Sequence, residues 1–282
     1  MPPIDIQRWT AFSSEPSGGN PAGVVLDARG LDDSDMLRIA ADVGYAETAF
    51  VTPGDGDRNR TIRYFSPVAE VPFCGHATVA TAAAMSAIEG VGSIRFATPV
   101  GDIEIEANIG SDGAPLVSFT SVEPSMGPLS SAALADVLGV LGLTADHLHP
   151  NYVPAEAFGG NWHPLVVLDN RDVFDGFTPD LGRARAVLDE HGWPATIIVL
   201  WQESAELWHA RNIFPVGSIT EDPATGAAAA ATGGYLRGSH AVRPPTSIVI
   251  HQGSHVGRPS KLLVDIPPSG GIIVSGSAAR IA

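Results

Sequence analysis

Three side chains of this 282-residue chain have the types needed to carry a proton: Glu47, His76 and Asp222. Glu47 lies in Tyr45-Ala46-Glu47-Thr48-Ala49-Phe50-Val51, an acid at the opening of an apolar run. At the floor of a cleft, a carboxyl group removed from water holds its proton more tightly and can act as both general acid and base. By pattern alone the same acid also fits a strand residue facing solvent. His76 and Asp222 stand at the starts of two alanine-rich segments. Free N–H groups and the positive end of the helix dipole make such a start a holder of carboxylates or a stabiliser of enolates. A histidine there can relay a proton, and an aspartate can partner it or touch the substrate. An Asp before a helix is also an ordinary N-cap, and a lone His is commonly structural.

The elements that must position these groups follow from the patterning. One segment runs Cys74-Gly75-His76-Ala77-Thr78 into alanines and ends at Gly90; the other runs Asp222-Pro223-Ala224-Thr225-Gly226 into alanines and ends at Gly238. A helix with no polar face is surrounded on all sides. The two starts align at an offset of 149 residues, a weak internal duplication. Amphipathic helices are expected over Asp32–Val43, Ser130–Val140 and Asp180–His191. Short β-type runs include Ile4–Trp9, Ala22–Leu26, Thr48–Val51, Thr61–Phe65, Ile103–Ala107 and Leu116–Phe119, then Leu165–Leu168, Thr196–Leu200, Leu207–Arg211, Ser247–His251, Leu262–Ile266 and Ile272–Ser275. The fold class is α+β: two pseudo-symmetric halves, each a mixed sheet around a central Ala-rich helix. Residues 1–120 form the N-terminal half and 121–270 the C-terminal half, with a linker at Ser121-Val122-Glu123-Pro124 and a tail, 271–282, that returns to the first half.

Composition removes several function classes. Sixteen basic against 31 acidic residues leave a net charge of −15, which repels nucleic acids and anionic membranes. No apolar stretch is long enough to span a bilayer, and no signal peptide is visible. A single cysteine, Cys74, rules out an internal disulfide and a Cys-rich metal site and suits a cytoplasmic protein. His147 and His149 lack a third ligand at convincing spacing, so no metal is expected. His251 and His255 flank a Gln252-Gly253 turn and are expected at the surface. Gly18-Gly19-Asn20-Pro21 is a turn before a strand, with neither the Lys nor the helix of a phosphate loop.

Five segments, in order, resemble the phenazine biosynthesis PhzF-like family: Gly19-Asn20-Pro21-Ala22-Gly23-Val24, Ala46-Glu47-Thr48-Ala49-Phe50-Val51, Pro72-Phe73-Cys74-Gly75-His76-Ala77-Thr78, Glu221-Asp222-Pro223-Ala224-Thr225-Gly226 and Gly257-Arg258-Pro259-Ser260. The resemblance implies a diaminopimelate-epimerase-like fold with the site between the two halves, a homodimer, and catalysis without metal or organic cofactor. It implies an isomerase acting on trans-2,3-dihydro-3-hydroxyanthranilate or a related small carboxylate, cyclic or unsaturated. Glu47, His76 and Asp222 fall on the family's catalytic positions, and Asn20, Gly75, Gly226 and Ala227 on substrate-binding ones. Ala227 departs from the family pattern, which has serine there, and this puts the substrate in question. Two alternatives stand beside this reading: a racemase or epimerase of the same fold, and a small-acid binding protein without catalysis. The two-thiol form of the former needs a second cysteine, and this chain has Pro223 where it would stand.

Overall fold

The computed structural model describes residues 4–216 and 219–282. In chain order the first elements are β1 (Gln7–Ala11), β2 (Asn20–Val25), α1 (Asp33–Val43), β3 (Thr48–Pro53), β4 (Asn59–Phe65), β5 (Glu70–Val71), α2 (Gly75–Glu89), β6 (Gly92–Thr98), β7 (Gly101–Ile109) and β8 (Pro115–Thr120). Then come β9 (Ser125–Pro128), α3 (Ser131–Leu141), β10 (Ala155–Phe158), β11 (Trp162–Leu168), α4 (Arg171–Gly176), α5 (Leu181–His191), β12 (Ile197–Gln202) and β13 (Leu207–Val216). The last are β14 (Ile219–Asp222), α6 (Gly226–Gly238), β15 (Thr246–Gln252), β16 (Ser260–Ile266) and β17 (Ile273–Ile281). This is a mixed, sheet-rich fold with a few helices. The chain divides into two compact units: the first runs to Thr120 and adds Ser275–Ala282, and the second is Ser121–Val274.

In the first unit β2 and β3 pair in parallel, as do β4 and β6, while β1–β2, β3–β4, β6–β7 and β7–β8 are antiparallel. The end of the chain completes it, with Arg8 opposite Ile281 and Ala11 opposite Ala278. Both faces of β3 are covered. Phe50 packs with Met36, Ile39 and Ala40 of α1 on one side, and α2 lies along β1, β2, β3, β7 and β8. That double burial explains why Ala49-Phe50-Val51 is an unbroken apolar run. Helix α2 is buried at every residue from His76 to Ser86. Its three internal hydroxyls, Thr78, Thr81 and Ser86, bond back to carbonyls one turn earlier, so each satisfies itself inside the apolar interior. Asp32 caps α1 through the Asp35 N–H at 2.9 Å, and Gly44 ends it in the left-handed conformation.

In the second unit β11–β12 and β13–β15 are parallel pairs, and β9–β10, β10–β11, β12–β13, β13–β14 and β15–β16 are antiparallel. Helices α3, α4 and α5 cover one face with a core that includes Val137, Leu141, Phe174, Leu188, Val166 and Ile213. On the other face α6 packs against β9, β10, β11 and β16. The contact is close because the partners are small. A Cβ on Gly159 would lie 2.4 Å from the Ala231 nitrogen, and one on Gly234 would lie 2.4 Å from the Pro124 side chain.

Ile4–Trp9, expected as the first strand, is shifted in the structure to Gln7–Ala11. Ile4 and Ile6 instead pack against the α1 core, and strand pairing begins at Gln7. Five strands, β5, β6, β9, β10 and β14, and the short helix α4 lie where no element was expected.

Candidate functional site

In the first unit, Glu47 sits immediately before β3, and its carbonyl accepts the Gly23 N–H at 3.2 Å. Cys74 occupies the N-cap position of α2, and its side chain makes no capping bond there. His76 follows two residues later. These residues come from separate elements, yet their side chains meet. His76 Nε2 is 3.3 Å from Glu47 Oε2. Cys74 Sγ is 3.5 Å from the same oxygen and 3.4 and 3.7 Å from the two ring nitrogens of His76. Asn20, the first residue of β2, places its amide nitrogen 3.2 Å from His76 Nδ1.

These contacts fix the imidazole's form. An amide NH2 only donates, so with Asn20 so oriented His76 Nδ1 accepts and the ring proton sits on Nε2, facing Glu47. Burial pushes the His76 pKa down to about 4, so the ring is neutral near pH 7 and its contact with Glu47 is a hydrogen bond from a neutral donor. The turn before Asn20 is built to deliver it. Gly19 has φ of +66°, and a Cβ there would lie 2.3 Å from Thr10 Oγ1. Gly75 is different: a Cβ there would only touch the Phe73 ring at 3.9 Å, so packing does not demand glycine. At the first turn of α2, helix geometry leaves the N–H groups of Gly75, His76 and Ala77 without intrahelical acceptors.

The second unit has its own cluster at the start of α6. Asp222 ends β14, and its Oδ2 accepts the Thr225 hydroxyl at 2.5 Å. The N-cap position belongs to Thr225, three residues on, so Asp222 is not the cap of α6. Gln252, at the end of β15, ties the turn together. Its amide nitrogen donates to the Asp222 carbonyl at 2.6 Å and meets Thr225 Oγ1 at 3.1 Å, while its oxygen accepts the Thr225 N–H at 3.3 Å. Gly226 is buried and Ala227 half-buried in the first turn of α6. Asn212 stands opposite Asp222 in the β13–β14 ladder and is only 1% exposed, and among the described residues its Oδ1 meets no hydrogen-bond partner. On the other face, Arg211 and Glu221 form a buried ion pair at 2.5 Å, and the guanidinium also donates to the Phe174 and Phe177 carbonyls.

Gln252 and Asn212 are residues that sequence reasoning missed. Their signal is positional: Ile248, Ile250 and Gln252 alternate on the buried face of β15, so the glutamine occupies a core position. Of the two histidines expected at the surface, His255 is exposed and bonds Asp175 at 3.2 Å, while His251 is half-buried, with its ring 5.5 Å from that of His209. His147 and His149 turn their Nδ1 atoms to local backbone N–H groups at 3.1 and 3.2 Å. Among the described residues, no helix is long and apolar enough to cross a membrane.

Known proteins resemble this chain along its whole length. It is 30% identical to an uncharacterized isomerase YddE of Escherichia coli K12 over 93% of this chain and 89% of that one. It is 28% identical to the trans-2,3-dihydro-3-hydroxyanthranilate isomerase of Pseudomonas aeruginosa over 96% and 93%. The crystal structure of a PhzF-family phenazine biosynthesis protein from Bacillus anthracis superposes with a TM-score of 0.87 at 26% identity, covering 99% of this chain and 97% of that one. A hydroxyproline epimerase from Agrobacterium vitis shares the fold at 13% identity and a TM-score of 0.63. The model of the phenazine biosynthesis-like proteins, PhzC-PhzF, matches residues 9–281, and the chain belongs to that family.

Proposed function

We propose that this protein is a cofactor-independent isomerase that moves a proton on a small carboxylate, cyclic or unsaturated, with Glu47 as the shared acid and base. The observation that carries this reading is the Glu47–His76 contact: a carboxyl group 3.3 Å from a neutral, Nε2-protonated imidazole, at the start of a buried helix. Glu47 takes a proton from a carbon next to the unsaturated system. The electron pair moves into that system, and the protonated Glu47 returns its proton to another carbon on the same face. His76, held by Asn20, orients the carboxyl group and is a donor to charge that develops beside it. Amides at the start of α2 hold the acid group of the substrate, and Asp222 with the N–H groups of Gly226 and Ala227 makes a second holder of polar substrate groups at the start of α6. The names of the relatives support the isomerase class. The pseudo-symmetry of the two halves, their central helices and a homodimeric assembly belong to the same proposal.

Ala227 bears on the substrate. Family members of the phenazine pathway place a serine there, so this chain offers one hydroxyl fewer. One missing hydrogen bond to a polar substrate is worth about 1–3 kcal/mol when its partner is left buried. Trans-2,3-dihydro-3-hydroxyanthranilate therefore belongs in a substrate panel beside acids lacking the group that serine would contact.

The deciding experiment is incubation in heavy water with such a panel, followed by mass spectrometry and NMR. Deuterium entering a substrate carbon with wild-type protein, and not with Glu47→Gln, is the expected result. Binding without any exchange would make the protein a small-acid binder. Undiminished exchange by Glu47→Gln would remove Glu47 from the reaction.

A further inference from the structure

Two buried side-chain amides stand at the start of α6, and they differ in what they bond. Gln252 meets the Asp222 carbonyl, the Thr225 N–H and the Thr225 hydroxyl, so both ends of its amide are engaged. Asn212 is 1% exposed, and among the described residues its Oδ1 meets no donor. The ladder fixes its direction. Asn212 and Asp222 are direct partners in the antiparallel β13–β14 pair, so their side chains lie on one face with Cβ atoms about 4.5–5.5 Å apart. That face carries α6. Ile213, the next residue, points the other way into the core with α3, α4 and α5, while the Asp222 carboxylate accepts the hydroxyl of Thr225, the N-cap of α6.

A polar oxygen is costly in this place. The neighbouring strand puts Ile198 beside Asn212, and the strand beyond puts Leu165 beside Ile198, both fully buried. An apolar side chain at position 212 would complete that row. An enclosed carbonyl oxygen without a donor instead forfeits the hydrogen bonds it makes in water. The Gln252 frame closes without Asn212, so holding the turn does not account for the amide. A donor brought by a ligand does.

The chemistry of that donor follows from what converges on it. Asp222 and Ala227 are half-buried, so the turn is open to solvent beside the amide. The Asn212 oxygen is one acceptor. The Asp222 carboxylate is another, and with about four lone-pair sites it takes a donor in addition to the Thr225 hydroxyl. A hydroxyl has a single hydrogen and serves one of the two acceptors; an amino group has more and serves both. Rotation about the Asn212 Cβ–Cγ bond, a broad torsion, presents the oxygen to a group entering the turn. We propose that Asn212 is a specificity-determining residue whose Oδ1, with the Asp222 carboxylate, accepts the hydrogens of an amino group on the substrate, so that the enzyme selects amino-bearing acids. This rests on the reading of the α6 start as a holder of polar substrate groups, and it names the group held.

The test is calorimetric titration of matched acids: ortho-, meta- and para-aminobenzoate, the corresponding hydroxybenzoates, and benzoate. Wild type is compared with Asn212→Leu and Asn212→Ala, each checked for native folding by circular dichroism. At least one aminobenzoate is expected to bind wild type about 10-fold or more tightly than its hydroxy counterpart and than benzoate, and the preference falls below about threefold in both variants. Asn212→Leu completes the apolar row and is expected to melt roughly 2–4 °C higher than wild type. In the heavy-water assay with an amino-bearing acid, it raises KM more than it lowers kcat. No preference for any aminobenzoate in wild type, or the same preference in the folded variants, would overturn the proposal. If no acid exchanges deuterium while the calorimetric preference is present and is lost in the Asn212 variants, the isomerase reading fails and the amino-group site stands.

Discussion

The starts of α2 and α6 share a scaffold and differ in what they carry. Each follows a short strand, β5 or β14, and opens a helix of small residues packed on a sheet. At the α2 start the side chains are titratable and meet one another: a carboxyl group, a thiol and an imidazole within 3.7 Å. At the α6 start they form a frame, in which Gln252 and Thr225 lock the backbone around Asp222. The contrast teaches that one scaffold can carry a cluster of titratable side chains at one helix start and a frame that locks the backbone at the other.

Four measurements break or sharpen that contrast. The largest effect is expected from Glu47→Gln, which should lower the exchange rate by about 10²–10⁴-fold with little change in melting temperature, while Asp222→Asn raises KM more than it lowers kcat. The reverse pattern would move the proton chemistry to the second unit. Next, Glu221→Ala strands the buried Arg211 charge beneath the α6 start and should cost about 3–5 kcal/mol in urea unfolding. A change below about 1 kcal/mol would show that the frame does not depend on the pair. Third comes pH. Burial lowers both His76 and the fully buried His163 from 6.5 to about 4. Between those values the unfolded chain binds protons that the folded one refuses, so stability is complete above about pH 6.5 and falls as pH drops toward 4. Each histidine contributes up to about 3 kcal/mol. His163→Gln should remove one part of the slope and His76→Gln the other, and a slope unchanged in either variant would discount that histidine. The smallest effect is expected from Gln252→Leu, about 1–3 kcal/mol of stability, with acid binding weakened more than turnover. Equal losses in both would place Gln252 nearer the chemistry than the frame allows.

Much of the element pattern was legible in the sequence because it rests on local rules. Asp32 and Gly44 announce the ends of α1, and Ser130 and Gly142 do the same for α3. The strands that went unread lack such marks. β6, Gly-Ser-Ile-Arg-Phe-Ala-Thr, buries only Ile94 and Phe96, and β14 is four residues long and held by pairing with β13. At the candidate site, chemistry was readable and proximity was not. Nothing in the spacing of Asn20, Glu47 and His76 brings them together; the β1–β2 turn, the entry to β3 and the seat of α2 do so jointly. Gln252 was hidden by its neighbours, since the Gly253 beside it reads as a loop. Gly253 in fact holds φ of +79°, and a Cβ there would lie 2.5 Å from the Pro223 carbonyl.

The close seat of α6 has a consequence for redesign. Alanine and glycine have no side-chain rotamers, so a helix made of them cannot absorb an inserted group by repacking itself. At Gly159, Gly233 and Gly234 the neighbouring backbone and side chains already fill the space where a Cβ would go. Directed evolution of this protein should therefore find its beneficial changes at the edges of that seat, around Ala227 and Asn212, and leave the body of the helix untouched. A library confined to those edge positions searches new substrates without repeatedly sampling chains that do not fold.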